Sequence, residues 1–224
     1  MLIGPSNLLQ SVTMRPVGPH AGSGASVTWT ATGNPASQDG VTSSGTGVTF
    51  SAINIGTAAA DRIVVVIFTS QLVVATAMTI GGVSATKAIE ESTVISGLQI
   101  WYATVTTGTT ADVVVTGGGA DWSQKAIIVG QIIGATGAPA TASSTDVTDP
   151  ADVTITVPSG GVAIVAYYGT AGGTWTNASF DFDEDTGDSL LLTSANRTTA
   201  GSQTPTYTTG GANVGHMVAA AWGP

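Results

Sequence analysis

The chain has 224 residues, of which 42% are hydrophobic and only 8% charged, and its formal net charge is −9. That is enough apolar material for a sizeable core, while an average soluble domain is roughly 25% charged. The cations Arg15, Arg62, Lys87, Lys125 and Arg197 are scattered, which argues against nucleic-acid binding, and the lack of cysteine excludes disulfides and thiolate metal sites.

In chain order, Met1-Leu2-Ile3-Gly4-Pro5-Ser6-Asn7 has neither a basic region nor a long apolar stretch, so no export signal is expected and synthesis is placed in the cytoplasm. Residues 1–25 are punctuated by Pro5, Pro16, Gly18, Pro19, Gly22 and Gly24 and read as an extended arm. Arg15, Pro16, Pro19 and His20 are its candidate assembly contacts. From Ser26 the pattern changes. Thr is the commonest residue, ahead of 30 glycines, and travels with Val and Ile, whose branched side chains suit a pleated surface.

Val27–Thr30 alternates, and residues 34–47 form a Gly/Ser-rich loop. Val48, Phe50 and Ala52 are expected on one face of the next strand. Arg62–Phe68 is almost wholly apolar and reads as a central strand covered on both faces; no apolar run approaches the roughly 20 residues of a membrane span. Met78–Thr86 forms a hairpin turning at Gly81-Gly82. Leu98, Ile100 and Tyr102 alternate with Gln99 and Trp101. Asp112–Thr116, Ala126–Ile133, Val153–Val157 and Val162–Tyr168 follow as strands, then the Phe180/Phe182 alternation, Tyr207-Thr208 and a closing strand at His216–Trp222.

About a dozen strands and no helical spacing predict an all-β protein: a single antiparallel β-sandwich, jelly-roll or immunoglobulin-like, over residues 26–224. Thr141–Pro150 reads either as a linker or as a crossover within one sandwich, and the single closing strand favours one domain. The strand–turn–strand recurrence is too loose to count as a repeat.

The runs Ile55-Gly56-Thr57, Asp61–Val66, Thr79–Lys87, Ile100–Ala103 and Thr106–Val115 resemble small virion proteins of tailed phages. The resemblance spans roughly Val48 to Trp222. It implies a jelly-roll or immunoglobulin-like sandwich similar to head-decoration proteins and tail-appendage domains, and it brings no catalytic motif. It has no counterpart for the arm.

Among possible chemical groups, Asp181, Asp183 and Asp185 alternate as calcium-loop carboxylates do, so Ca²⁺ is the one cofactor considered. Counted from Asp181, position 6 is Thr186 and position 12 is Leu192, where an EF-hand needs Gly and Glu. The competing reading is an edge strand with Phe180 and Phe182 buried. His20 and His216 lack an obvious orienting carboxylate, and no Ser lies in a nucleophile-elbow context. A carboxylate pair drawn from Asp121, Asp181, Asp183 and Glu184 is the remaining catalytic option. Gly117-Gly118-Gly119 lacks the Lys of a phosphate loop. Trp101 and Trp222 sit in strand patterns, leaving Trp122 and Trp175 as candidate glycan contacts. Asn177 and Asn196 head glycosylation sequons that matter only after export.

The expectation is a non-enzymatic structural protein of a phage virion, assembled in the host cytoplasm. It would be a capsid decoration or cement protein, a homo-oligomer with a trimer favoured, partnered by the major capsid protein or other virion proteins. The alternative is a tail or head-fibre appendage binding a host surface glycan.

Overall fold

A computed structural model describes residues 26–32, 36–38, 47–71, 74–93, 96–117, 123–144, 149–169, 172–185, 191–210 and 215–224, with backbone alone for 36–38, 123 and 183–185. The described chain is all-β and antiparallel. Its first half contributes β1 (Thr28–Ala31), β2 (Ala36–Gln38), β3 (Gly47–Asn54), β4 (Ile63–Gln71) and β5 (Ala75–Ile80). It continues through β6 (Val83–Ser84), β7 (Thr86–Ser92), β8 (Ser96–Thr104), β9 (Thr110–Gly117) and β10 (Ser123–Ile133). The second half holds β11 (Thr136–Ser144), β12 (Ala151–Asp152), β13 (Ile155–Val157), β14 (Val162–Gly169) and β15 (Thr174–Thr176). It ends with β16 (Ser179–Asp185), β17 (Leu191–Arg197), β18 (Gly201–Gln203), β19 (Thr206–Thr208) and β20 (Gly215–Gly223). Twenty described strands replace the expected dozen because several are two- or three-residue pieces, too short to leave a periodic signal.

The sheets stack in four layers. An inner sheet, β1-β10-β4-β8-β7 with β2 also on β10, packs one face on an outer sheet, β3-β9-β5-β6. Its other face packs on a second inner sheet, β11-β20-β14-β17-β16, whose far side carries β12-β19-β15 and β13-β18. Three cores fill the three gaps, and the period-2 alternation of a strand explains how one strand feeds two of them. In β4, Val65 and Ile67 enter the central core while Val64, Val66 and Phe68 enter the outer one. In β20, Val218, Ala220 and Trp222 face the centre while Met217, Ala219 and Ala221 face outward. The apolar run at Arg62–Phe68 is therefore a strand buried on both faces, as its composition requires.

The two inner sheets have the same strand order when β1, β10, β4, β8 and β7 are matched to β11, β20, β14, β17 and β16. The outer layers match as well: β3-β9-β5 corresponds to β12/β13, β18/β19 and β15. The ladders agree residue by residue. The row Val129–Val66–Trp101–Lys87 has the counterpart Ala219–Val165–Ala195–Phe180. The next row is Ile128–Ile67–Ile100–Ile89 against Val218–Ala166–Ser194–Phe182, so Ala88 and Asp181 are skipped by bulges at equivalent places. The described chain is thus one sandwich topology built twice. Edge strand β7 packs over β11 and β20, and its counterpart β16 packs over β10 and over β2, which pairs with β10 as β1 does, so each edge strand crosses the other sandwich at a corresponding border.

Bulges also correct two local expectations. A bulge shifts the side-chain alternation by one residue. The one at Asp181 therefore places Phe180 and Phe182 on opposite faces: Phe182 packs on the central core, and Phe180 is 57% exposed. In β3 the register shifts between Phe50 and Ile53, so Val48 and Phe50 are buried, while Ala52 is exposed with φ 53° and donates its N–H to Asp112 Oδ1 at 2.8 Å. The hairpin forms as read, with Ile80 paired to Val83 and Gly81 and Gly82 at φ 59° and 78°. Thr141–Ser144 lies within β11, and the chain passes between the sandwiches at residues 134–135.

Candidate functional site

Polar groups buried inside an apolar stack need partners, and positions where the two sandwiches differ show where this chain has specialised. Arg62, fully buried at the start of β4, is the largest difference, since Gly161 holds the matching place before β14. Its Nε donates to Val105 O at 2.5 Å, its Nη1 to Gly56 O and Gly108 O at 2.9 Å each, and its Nη2 to Thr107 O at 2.6 Å. The guanidinium fastens two loops of the first sandwich together, which accounts for it structurally.

At one side of the seam between the sandwiches, Asp181 occupies the β16 bulge. Its Oδ2 accepts from Trp29 Nε1 at 3.0 Å and its Oδ1 from Asn196 Nδ2 at 2.6 Å. Burial raises the Asp181 pKa from its ordinary value, and those two hydrogen bonds oppose the shift. Trp29 lies flat on β10, where Gly130 leaves room for it; a Cβ there would stand 2.1 Å from the indole. Beside this cluster opens a cleft of about 450 Å³, within the size range of small-molecule sites. Thr30, Asn54, Thr57, Thr109 and Gln131 of the first sandwich line it together with Phe182 of the second. Asn54 is held in place by the main chain: its Nδ2 donates to Thr32 O, and its Oδ1 accepts from Gly56 N at 2.9 Å. Gln131 Oε1 is buried without a hydrogen-bond partner.

At the other side of the seam, His216 is buried on β20 with Nε2 2.9 Å from Ser96 Oγ. Desolvation lowers its pKa, and the charge of Glu91 pulls the other way. Nothing in this pair resembles a nucleophile activated by an oriented base, because His216 Nδ1 has no partner.

Trp175, a candidate glycan contact, is half-buried. Its Nε1 donates to Thr193 Oγ1 at 3.0 Å, and its ring packs on Tyr207 with centroids 5.0 Å apart. With Gly173, Thr174, Ala178 and the exposed Phe180 it lines a second cleft of about 400 Å³. Trp101 and Trp222 are core, as their strand positions suggest, and Trp222 meets Tyr102 edge-on at 5.9 Å. The two sequon amides are both engaged internally, Asn177 with Thr204 O and Asn196 with Asp181.

Of the carboxylates proposed for metal or catalysis, Asp181 alone has a described side chain. Asp183 and Asp185 lie on β16 with only their backbone described, as does Glu184; Asp121 and Trp122 fall outside the described residues, and so do Arg15, Pro16, Pro19 and His20 of the arm. No group of three or more His, Cys, Asp or Glu gathers among the described residues. The sequence reading missed the convergence of Trp29, Gln131 and Phe182, which lie far apart in the chain; Trp29 and Asp181 are 152 residues apart.

Fold and clefts together define an all-β protein made of two stacked sandwiches, with neutral hollows at its seam and along one edge. Compared with models of protein families, with curated proteins and with solved structures, the chain matches none of them.

Proposed function

We propose that this protein is a non-enzymatic structural component of a tailed-phage particle, a decoration protein that oligomerises on the head and clamps neighbouring capsid subunits. The observation that carries this reading is the chemistry of its sheet edges. Edge strands β3 and β11, of eight and nine residues, carry no charged side chain. A register shift in each strand and Pro139 in β11 interrupt pairing locally, but the charges with which a free monomer also blunts its edges are missing, and an assembling protein covers such edges with neighbours. The low overall charge supports the same reading, because interface centres are depleted in charged residues. The resemblance to phage virion proteins supplies the particle.

A second reading, an appendage that binds a host glycan, is favoured by Phe180 exposed next to Trp175. Electron microscopy of purified particles labelled with antibody against this chain separates the two. Label distributed over the head supports decoration, and label confined to the tail or fibres supports the appendage. Particles that carry none of the protein contradict both. Deleting residues 1–25 is expected to abolish capsid binding and leave the sandwiches folded; unchanged binding refutes the arm as anchor.

A further inference from the structure

We infer that the seam cleft beside Trp29 and Asp181 is a binding site for a neutral saccharide. Its named lining contains hydroxyls, two carboxamides and one aromatic ring, with no acid or base. Such a wall offers nothing to balance an ionic ligand, and it matches a sugar, which donates and accepts hydrogen bonds around an apolar ring face. Thr30, Thr57 and Thr109 are exposed and their hydroxyls rotate to suit either role. Gln131 Oε1 is a buried acceptor without a partner, and a ligand hydroxyl reaching it after a small side-chain shift would satisfy it. Phe182 supplies the flat apolar surface against which pyranose C–H groups pack.

The internal duplication sharpens the inference. At the equivalent ladder positions the counterpart of Gln131, on the outward face of its strand, is Ala221, and that of Phe182, on the central face, is Ile89. Among the described residues the equivalent place thus lacks both the orphan acceptor and the ring. The Asp181 hydrogen bonds to Trp29 and Asn196 fix the edge strand that carries Phe182, so the ring is presented by a braced element.

This inference does not rest on the assembly reading, and absence from particles would leave it standing. The test is saturation-transfer NMR of the full chain with glucose, galactose, N-acetylglucosamine, cellobiose, lactose and N,N′-diacetylchitobiose. We expect millimolar binding of at least one of these, weakened tenfold or more by Phe182→Ala and by the double change Thr57→Val with Thr109→Val. Phe180→Ala, in the other cleft, should leave binding unchanged. The Thr changes lie in exposed loops and keep the test valid should Phe182→Ala unfold the chain. No transfer from any of the six sugars would overturn the inference. So would binding that survives the double Thr change, or that is lost with Phe180→Ala.

Discussion

The two sandwiches share a path but fill it differently. The first has a continuous four-stranded outer sheet over a layer in which Phe50, Phe68 and Trp101 are set among aliphatic side chains, with Val64, Val66, Met78 and Ile80 fully or almost fully buried. The second has its outer layer broken into short strands, and its rings pack on one another, Tyr167 against Tyr207 at 4.4 Å and Trp175 against Tyr207 at 5.0 Å. Opposite those rings β20 presents Ala219 and Ala221, so bulky rings face small side chains and the layer stays filled. One topology therefore accepts two quite different cores, provided the in–out alternation and the bulge positions are kept. What the halves do not share, the buried Arg62, the Gln131–Phe182 cleft and the His216–Ser96 pair, is where this chain departs from its own symmetry.

Breaking the shared core should have the largest effect. Trp222→Ala removes the biggest side chain between the inner sheets and is expected to cost about 3–5 kcal/mol, read from chemical denaturation. Ile132→Val, the matching place in the first sandwich, should cost only about 1 kcal/mol. Arg62→Met should cost about 3 kcal/mol, because it strands several loop carbonyls. Its loss should speed hydrogen exchange near residues 55–57 and 105–108 and leave the second sandwich protected. Gly130→Ala should cost about 1–3 kcal/mol by displacing Trp29, with a shift in indole fluorescence that Gly223→Ala does not produce.

The smallest effect concerns pH. The folded His216 pKa lies below the ordinary 6.5, so the unfolded chain binds the proton more readily. Its contribution is full above pH 6.5 and falls as the pH drops from there toward the folded value. Glu91 moderates the loss, and Ser96 is the hydroxyl facing the ring. His216→Gln should flatten the decline in melting temperature across that window; an unchanged slope would assign it to other groups.

Much of the fold was legible because strand chemistry is local. β4, the Gly81-Gly82 hairpin and the closing strand β20 announce themselves by branched residues, turn glycines and an unbroken apolar run. The duplication was not legible. Its halves agree in ladder position while their side chains have diverged: Trp101 faces Ala195, Lys87 faces Phe180 and Ile100 faces Ser194 across the correspondence. Only burial pattern and bulge placement are retained, and neither is visible before strands are paired. The seam cleft was hidden for a related reason. It is assembled from ordinary Thr, Asn and Gln residues on four separate segments with Phe182 on a fifth, and the bulge that turns Phe182 toward it reverses the alternation from which its neighbours were read.

The central claim is that two copies of one sandwich share a core and stand or fall together. Differential scanning calorimetry of the full chain tests it most directly. One transition is expected, with calorimetric and van't Hoff enthalpies equal, moving as a whole to lower temperature in Trp222→Ala. Two separable transitions, only one of them shifted by Trp222→Ala, would contradict it.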